Sequence, residues 1–322
     1  MCVMFSKYNK KARASAGLLE EDLPFADAHF RSYSIWSRAR CSRALPLLSP
    51  RHAPRVNRHA PLATRHSPPS IFPPMNQLLT GTGVAIVGNG RLGRALADAM
   101  RGAELRVIGP LGRGADGKDA DIVLLCVPDA AIAAAAGAIA PRTGRLVGHC
   151  SGLSTLAPLA PHEAFSMHPL MTVASGVSVS FAGAGCAVAG STERALAVSI
   201  ALAESLRMQP FTVADADRPA YHAAASMASN YLVTLEGAAE RLGKTAGVER
   251  ELFVPLVRTA VENWARLGAR RALTGPIARG DAATAERQRG AVASKAPELL
   301  PLWDALATAT GALAHDALAP NE

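Results

Sequence analysis

The chain has 322 residues, 49% hydrophobic and 5% aromatic, and its 34 Lys and Arg against 26 Asp and Glu give a net charge of +8. The whole basic excess lies in residues 1–74, which carry 12 basic and 4 acidic residues, whereas residues 75–322 carry 22 of each. This distribution removes the main argument for nucleic-acid binding, and no apolar run reaches the roughly 18 residues of a membrane helix. We expect neither nucleic acid nor membrane as a partner.

Residues 1–74 are rich in Pro, Arg, Ser and His and show no sustained helical or strand period. Such a segment buries too little apolar surface to offset its ordering entropy, so we predict a disordered basic extension. A basic tail and an organelle transit peptide are the functional alternatives, although Glu20-Glu21-Asp22 disfavours transit. Met75 precedes the first predicted strand by nine residues, and we expect it to be the functional start.

From residue 75 onward, short apolar runs alternate with helical periodicity. The pattern predicts strands at 84–87, 105–108, 121–127, 145–149, 186–190 and 211–214, with helices at 91–101, 129–139 and 193–206. Apolar runs of four to seven residues without clean alternation are typical of strands covered on both faces. We therefore predict an α/β fold with a Rossmann-type, doubly wound, mostly parallel sheet over residues 75–214.

After Asp215 the strand pattern stops and helical periodicity takes over. Asp217 is suited to cap a helix with Pro219 in its first turn, and this helix is expected to reach about Lys244. Further helices are predicted at about 249–270, 281–294 and 298–315. Residues 215–322 therefore form a predicted all-helical domain for substrate binding or dimerisation.

A glycine turn, Gly88-Asn89-Gly90-Arg91-Leu92-Gly93, joins the first strand to the first helix. A G-x-G-x-x-G turn in this position is typical of a dinucleotide site, where Gly90 lets the backbone approach the phosphates and Gly93 packs the helix on the strand. The partial positive charge of the helix start then faces the pyrophosphate. All six residues are candidate cofactor ligands, with a merely structural turn as the alternative.

The end of the second strand indicates which coenzyme is bound. NAD sites usually place Asp or Glu there, whereas NADP sites place Arg near the 2′-phosphate. The sequence here is Gly109-Pro110-Leu111-Gly112-Arg113, without an acid. Arg113, together with Arg91, favours NADP over NAD; two solvated surface arginines are the alternative.

Two more predicted strands end in candidate ligands. The backbone at Val127-Pro128 lies where the nicotinamide half of the coenzyme is expected to pass, and Asp129 is interpreted as a helix cap. Ser151, after the next strand, is a candidate for binding the nicotinamide carboxamide or a substrate oxygen, although turn formation explains Ser-Gly equally well. His168 is predicted to lie in a long irregular stretch, where a histidine is often functional.

The helix that begins near Asp217 carries a set of polar residues on one face: His222, Ser226, Ser229 and Asn230. They indicate a wet cleft against the first domain, with a solvent-facing stripe as the alternative. Histidine titrates near neutrality, so His222 is a candidate proton donor and Asn230 a candidate for fixing the substrate, with His168 as a second catalytic candidate.

A turn at residues 274–281 supplies the last candidates. Arg279 is suited to anchor a substrate carboxylate, and Asp281 to cap the following helix; a structural turn is the alternative. Cys126, Cys150 and Cys186 fall in or beside predicted core strands and match no metal spacing. No metal is therefore expected, and reduced thiols favour a cytoplasmic protein.

Together these motifs resemble bacterial proteins that pair a Rossmann-like NADP-binding domain with a C-terminal helical domain of unknown function. The matching segments are 88–93, 126–129, 149–152, 168–170, 221–231 and 273–281. The chain is more distantly similar to pyrroline-5-carboxylate reductase and to the 6-phosphogluconate and β-hydroxyacid dehydrogenases. The resemblance implies an NADP-dependent reductase that often forms a homodimer through its helical domain.

One departure from the β-hydroxyacid dehydrogenases is informative. Their Lys-x-x-x-Asn pair corresponds here to Ser226-x-x-x-Asn230, so oxidation of a hydroxyacid is disfavoured. We expect an NADP(H)-dependent oxidoreductase acting on a small carbonyl or imine in the interdomain cleft. The alternative is a non-catalytic NADP-binding sensor or partner-binding protein.

Overall fold

The computed structural model describes residues 78–316, so the extension predicted for residues 1–74 lies outside the described residues. Seven strands form one sheet in the order β2-β1-β3-β4-β5-β6-β7. Their bounds are β1 Gly83–Val87, β2 Arg106–Leu111, β3 Ile122–Leu125, β4 Leu146–His149, β5 Glu163–Pro169, β6 Gly185–Gly190 and β7 Gln209–Thr212. All neighbours pair in parallel except β5 and β6. The predicted mostly parallel sheet is confirmed.

Three helices cover the two faces of the sheet: α1 Arg91–Gly102, α2 Ile132–Gly137 and α3 Glu193–Ser205. On one face, Leu96 and Met100 of α1 and Leu202 of α3 pack against strand residues such as Ile86. On the other face, Ile132 and Ala136 of α2 pack against a second set of strand side chains. This double coverage explains why β1 and β3 are apolar at every position.

The C-terminal part of the chain is helical, as predicted. Its helices are α4 Arg218–Ser226, α5 Leu232–Lys244, α6 Arg250–Leu267, α7 Ala269–Ala272, α8 Ala282–Lys295 and α9 Leu300–Asp316. The helix predicted to run unbroken from Asp217 contains a π-helical segment, Met227–Tyr231, between α4 and α5. Asp281 caps α8, with its carboxylate accepting a hydrogen bond from the Thr284 N–H. The domain boundaries predicted at residues 75 and 215 stay predictions.

One strand of the sheet does not follow from the sequence pattern. The sequence predicts no strand at residues 163–169, Glu-Ala-Phe-Ser-Met-His-Pro, and an irregular stretch around His168, but residues 163–169 form β5, an interior strand of the sheet. The segment has no β-branched residue and ends in proline, so its local propensity for a strand is weak. Pairing with β4 and β6, and full burial of Phe165 and Met167, stabilise it instead. His168 therefore lies at a strand end and not in a loop.

None of the helices between residues 78 and 316 is both long and apolar enough to cross a membrane.

Candidate functional site

The carboxyl ends of four parallel strands meet at one edge of the sheet. β1 ends at the glycine turn, β3 ends before Cys126–Asp129, β4 ends before Cys150–Gly152, and β5 ends at His168-Pro169. In open α/β sheets, ligands bind in the crevice outside this edge. Most of the residues predicted to bind coenzyme therefore lie together here, on segments that follow the strands.

The glycine turn has two glycines that the protein's own packing requires. Gly88 has a φ of +126°, and a Cβ there would lie 2.2 Å from the Cys126 carbonyl oxygen. A Cβ on Gly93 would lie 1.9 Å from the Gly88 carbonyl oxygen, because α1 starts directly against the turn. Any side chain at either position would force the first strand, the turn and the helix apart.

Gly90 is different, because its own surroundings do not explain why it is a glycine. Its φ of −82° and ψ of −174° suit any residue, and a Cβ there would have no atom within 4 Å. It stands at the N-cap of α1, where Ser, Asp or Asn would normally stabilise the helix. The helix start has neither a side-chain cap nor an acidic residue in its first turn. The residues present thus fit an anion that needs the open N–H groups of α1 and the space beside Gly90.

Three arginines are relevant to phosphate binding: Arg91 and Arg94 lie in the first turn of α1, and Arg113 follows β2 by two residues. Arg91 and Arg113 are exposed, as expected for candidate phosphate ligands. Arg94 donates from Nε to the Asn89 Oδ1 at 2.8 Å and so holds the glycine turn against α1. Its role was not predicted from the sequence. A cavity of about 620 Å³ lies between the start of α1 and residues 173–179, beside Asn89 and Gly90.

A polar cluster occupies the same edge, beyond β3, β4 and β5. We use this name for Asp129, His149, Ser151, His168, Tyr221 and His222. Ser151 organises its first half: the hydroxyl donates to the Asp129 Oδ2 at 2.8 Å and accepts from the N–H groups of Leu153 and Ser154 at 3.1 and 2.8 Å. These three bonds fill the hydroxyl's hydrogen-bonding capacity and build the turn.

Asp129 was interpreted as a helix cap, and that interpretation is wrong. It opens the short 3-10 turn Asp129–Ala131, but Pro128 is the N-cap residue and no side chain caps the turn. The Asp129 carboxylate accepts the Ser151 hydroxyl hydrogen instead. The signal that was missed is long-range, since 22 residues separate the two.

His149 is fully buried and structural in its contacts. Its Nε2–H donates to the Thr155 carbonyl at 2.9 Å, and its Nδ1 accepts from the Ser151 N–H at 3.1 Å. Burial lowers the pKa of His149, so the ring is neutral with its proton on Nε2. The ring joins the end of β4 to the turn that carries Ser151.

The second half of the polar cluster comes from the contact between β5 and α4. His168 Nδ1 lies 2.6 Å from the Tyr221 hydroxyl, and the His168 and His222 ring centroids are 6.0 Å apart. Burial, helped by the charge of His222, lowers the pKa of His168 to about 4. Burial also raises the pKa of Tyr221 to about 12. At neutral pH this pair therefore holds a neutral imidazole against a protonated phenol.

The rings of His168 and His222 both pack against Gly152. A Cβ at this position would lie 2.8 Å from His168 Cε1 and 2.9 Å from His222 Nδ1. The His222 Nδ1 is enclosed and has no hydrogen-bond partner among the described residues. Gly152 is thus a glycine because two rings from different elements converge on it.

A buried cation lies below this contact. Arg218, at the start of α4, is 2% exposed, and its Nε donates to the Asp215 carboxylate at 2.8 Å. Its guanidinium also lies 3.4 Å from the Ser166 hydroxyl of β5. Nothing in the local sequence indicates this role, since an arginine in a first helical turn usually faces solvent. Its positive charge lowers the pKa values of His149 and His168.

The other predicted site residues lie outside the polar cluster. Ser226 is half-buried at the end of α4, Asn230 is exposed, and the Ser229 hydroxyl donates to the Ala225 carbonyl at 2.7 Å. Arg279 is exposed in the turn before α8. Val127 and Pro128 follow β3 at the sheet edge, as expected.

Two cysteines meet under the glycine turn. Cys126 and Cys150 end adjacent strands, and their sulfur atoms are 3.7 Å apart without a disulfide. The hydrogen bond with the Cys126 thiol, together with burial, raises the pKa of Cys150 well above its ordinary value, so its thiol stays protonated at neutral pH. Within residues 78–316, no three His, Cys, Asp or Glu side chains are grouped as metal ligands would be.

Comparison with solved structures places the fold. A Bacteroides fragilis protein described as a proposed NADP oxidoreductase shares 19% identity over 71% of this chain and 98% of its own, with a TM-score of 0.64. A Thermotoga maritima protein shares 22% identity over 73% of this chain and 100% of its own, with a TM-score of 0.60. A reductive aminase from Aspergillus terreus, solved with NADPH and ethyl levulinate, shares 18% identity over 69% and 91%, with a TM-score of 0.51. At these identities the likeness establishes the fold.

The family comparison concerns the C-terminal part. Residues 184–310 match DUF2520, a domain of unknown function, and this region begins at β6 and extends into α9. No curated protein matches this sequence. The resemblance inferred from the motifs is therefore confirmed: the chain has a Rossmann-like fold, shared with a protein described as a proposed NADP oxidoreductase, and its C-terminal helices lie within the region that matches this domain of unknown function.

Proposed function

We propose that the protein is an NADP(H)-dependent oxidoreductase that acts on a small carbonyl or imine at the carboxyl edge of its sheet. The observation that carries this proposal is Gly90. Gly90 is the N-cap residue of α1, its dihedral angles suit any residue, and a Cβ there would have no atom within 4 Å. A glycine at this position leaves room for a phosphate beside the helix start. The polar cluster lies beyond the neighbouring strands of the same edge, where the reactive half of a bound dinucleotide is expected.

The residues of the glycine turn would hold the pyrophosphate, with backbone N–H groups at the start of α1 as donors. Arg113 follows β2 by two residues, and no carboxylate ends that strand. We propose that Arg113 and Arg91 bind a 2′-phosphate, which favours NADP over NAD. The backbone at Val127 and Pro128 would border the nicotinamide half.

When bound, the coenzyme would supply or accept the hydride, and the protein would manage the proton. The Tyr221 phenol is protonated at neutral pH and touches a neutral His168. With the imidazole proton on Nδ1, His168 donates to the Tyr221 oxygen and leaves the phenol hydrogen free for a substrate oxygen. Burial raises the pKa of Tyr221 overall, and the buried charge of Arg218 offsets part of that rise, which favours the phenolate that remains after proton transfer.

Other predicted residues keep their proposed roles. His222 stays a candidate proton donor, because its Nδ1 is enclosed against Gly152 while its ring lies beside His168. We propose Ser151, Ser226, Ser229, Asn230 and Arg279 as contacts to substrate or nicotinamide, with Ser151 acting through its turn because its hydroxyl is already engaged.

We also propose that the helical part pairs with a second copy of the chain. Large apolar side chains are exposed on α6: Leu252 is 69%, Leu256 65% and Trp264 58% exposed. Exposed apolar patches of this kind mark association surfaces. Light scattering should give the mass of a dimer, and Trp264→Asp should give a monomer; a monomeric unmodified protein would refute the pairing.

We propose a cytoplasmic location, which the free thiols of Cys126, Cys150 and Cys186 support.

The reaction class is tested by following NADPH consumption with a panel of ketoacids, ketones and cyclic imines. Tyr221→Phe should lower the kcat for carbonyl substrates by about a hundredfold or more, as expected for loss of a proton donor. Tyr231→Phe is the matched control, since Tyr231 is 63% exposed on the following segment.

The alternative, a non-catalytic NADP-binding sensor, is favoured by one observation. The position that carries lysine in the β-hydroxyacid dehydrogenases is Ser226 here. Tight NADPH binding without turnover of any member of the panel would replace the oxidoreductase by this sensor.

A further inference from the structure

Asp129 lies at the carboxyl edge of the sheet, and only one of its two carboxylate oxygens accepts a hydrogen bond from a described residue. It follows β3 at the sheet edge and is exposed. Its Oδ2 accepts from Ser151, whose hydroxyl is itself fixed by the N–H groups of Leu153 and Ser154. Among the described residues, none donates to Oδ1 and no cationic side chain pairs with this carboxylate. The carboxylate is therefore held through Oδ2, while Oδ1 is open to a ligand.

Asp129 is a carboxylate, whereas several neighbouring groups of the polar cluster are neutral at neutral pH. His168, with a pKa of about 4, and Tyr221, with a pKa of about 12, are both uncharged at neutral pH, and burial keeps His149 neutral as well. The cation of Arg218 is buried and bound by Asp215. His222, the remaining titratable ring, rests against Gly152. An exposed carboxylate without an ion-pair partner among the described residues, beside the neutral rings of His149, His168 and Tyr221, favours a cationic ligand.

We infer that Asp129 determines substrate specificity by binding the positively charged nitrogen of an iminium substrate. This inference rests on the proposed function and narrows its substrate class from carbonyl or imine to a protonated or N-alkylated imine. A neutral ketone gains little from a carboxylate, whereas an iminium nitrogen forms a charge-assisted contact with Oδ1.

The reaction balances without a proton donor. The reduced coenzyme would supply a hydride from its own C–H bond and so be oxidised, a C–H bond would form at the iminium carbon, and the C=N π bond would break. Its electron pair becomes the lone pair of the amine nitrogen, so a permanently charged N-methyl iminium gives a neutral tertiary amine. Reduction of such a substrate therefore requires Asp129 but not the Tyr221 hydroxyl.

The test compares Asp129→Asn with the unmodified protein. Asparagine keeps an acceptor for Ser151 and removes only the charge. The control is Asp119→Asn, an exposed carboxylate before the opposite end of β3. With N-methyl-1-pyrrolinium as substrate, Asp129→Asn should lower kcat/KM by about tenfold to a hundredfold, the usual worth of a charged hydrogen bond. The kcat/KM for cyclopentanone should fall much less than the value for the iminium, the Kd for NADPH should change less than twofold, and every value for the control should stay within twofold of the unmodified protein.

Binding is measured separately from turnover, by calorimetry with protonated N-methylpyrrolidine and NADP⁺. If the cation binds and Asp129→Asn removes that binding while no substrate is turned over, the reductase proposal fails and the cation site stands. If Asp129→Asn reduces the iminium as well as the unmodified protein does, the specificity role is overturned. A weaker NADPH affinity in Asp129→Asn would also overturn it, because the carboxylate would then serve the coenzyme.

Discussion

Protonation of His168 should destabilise the folded protein by an amount that the structure sets. Burial, and the neighbouring charges of His222 and Arg218, lower the pKa of this ring from 6.5 to about 4. In the unfolded chain it titrates near its ordinary value, so between pH 6.5 and pH 4 the unfolded state binds more protons than the folded state. The stability that this group contributes is therefore complete above pH 6.5 and is lost as the pH falls toward 4.

The size of the effect follows from the shift. A difference of about 2.5 pH units corresponds to about 3 kcal/mol when titration is complete, and to about 2.5 kcal/mol at pH 4.5. The perturbation is His168→Asn, whose side-chain amide can still donate a hydrogen bond to the Tyr221 oxygen but does not titrate.

The assay is urea unfolding of both proteins at pH 7.5 and pH 4.5. Other titrating groups are common to both, so the difference between the two pH-dependences isolates His168. The unmodified protein should lose about 2.5 kcal/mol more than His168→Asn between the two pH values. His315→Asn, at an exposed histidine near the end of α9, should lose as much as the unmodified protein. Equal losses for the unmodified protein and His168→Asn would refute the burial argument.

Two further changes follow from the packing of the polar cluster. Gly152→Ala should displace the rings of His168 and His222, which lie 2.8 and 2.9 Å from the new Cβ, so kcat should fall at least about tenfold while the Kd for NADPH stays constant; unchanged kcat would show that the rings do not serve the reaction. Ser151→Ala should cost about 1–3 kcal/mol in the free energy of unfolding, because the N–H groups of Leu153 and Ser154 lose their acceptor. Urea denaturation measures this, and a loss below 0.5 kcal/mol, roughly the limit for ordinary surface changes, would contradict it.

The parts of the fold that local chemistry determines were predictable. An apolar run predicts β1, and helical periodicity predicts α1. The turn between them has a backbone conformation at Gly88 that only glycine tolerates. The double coverage of β3 could be read from its unbroken apolar residues. β5 could not be predicted, because its strand state depends on β4 and β6 and not on its own propensities.

The candidate site was harder to predict because its contacts join distant segments. His168 and Tyr221 are 53 residues apart, and no periodicity relates them. The sequence does not show that the Ser151 hydroxyl is already fully hydrogen-bonded, because its partners are Asp129 and the N–H groups of the following turn. Arg218 reads as a surface residue, yet it is buried between β5 and the start of α4. Roles of this kind depend on the arrangement of the domains, which the sequence pattern does not specify.

Coenzyme binding by a variant of Gly90 tests the central claim most directly. Gly90→Asp places a carboxylate where the pyrophosphate is expected, yet Asp is a preferred N-cap residue and meets no atom within 4 Å, so α1 should keep or gain stability. Gly102→Asp, at the other end of the same helix, adds the same charge roughly 18 Å away. In a fluorescence titration with NADPH, Gly90→Asp should raise the Kd about a hundredfold or more, while Gly102→Asp stays within threefold of the unmodified protein. Equal affinity of Gly90→Asp and the unmodified protein would contradict the nucleotide site and the function proposed from it.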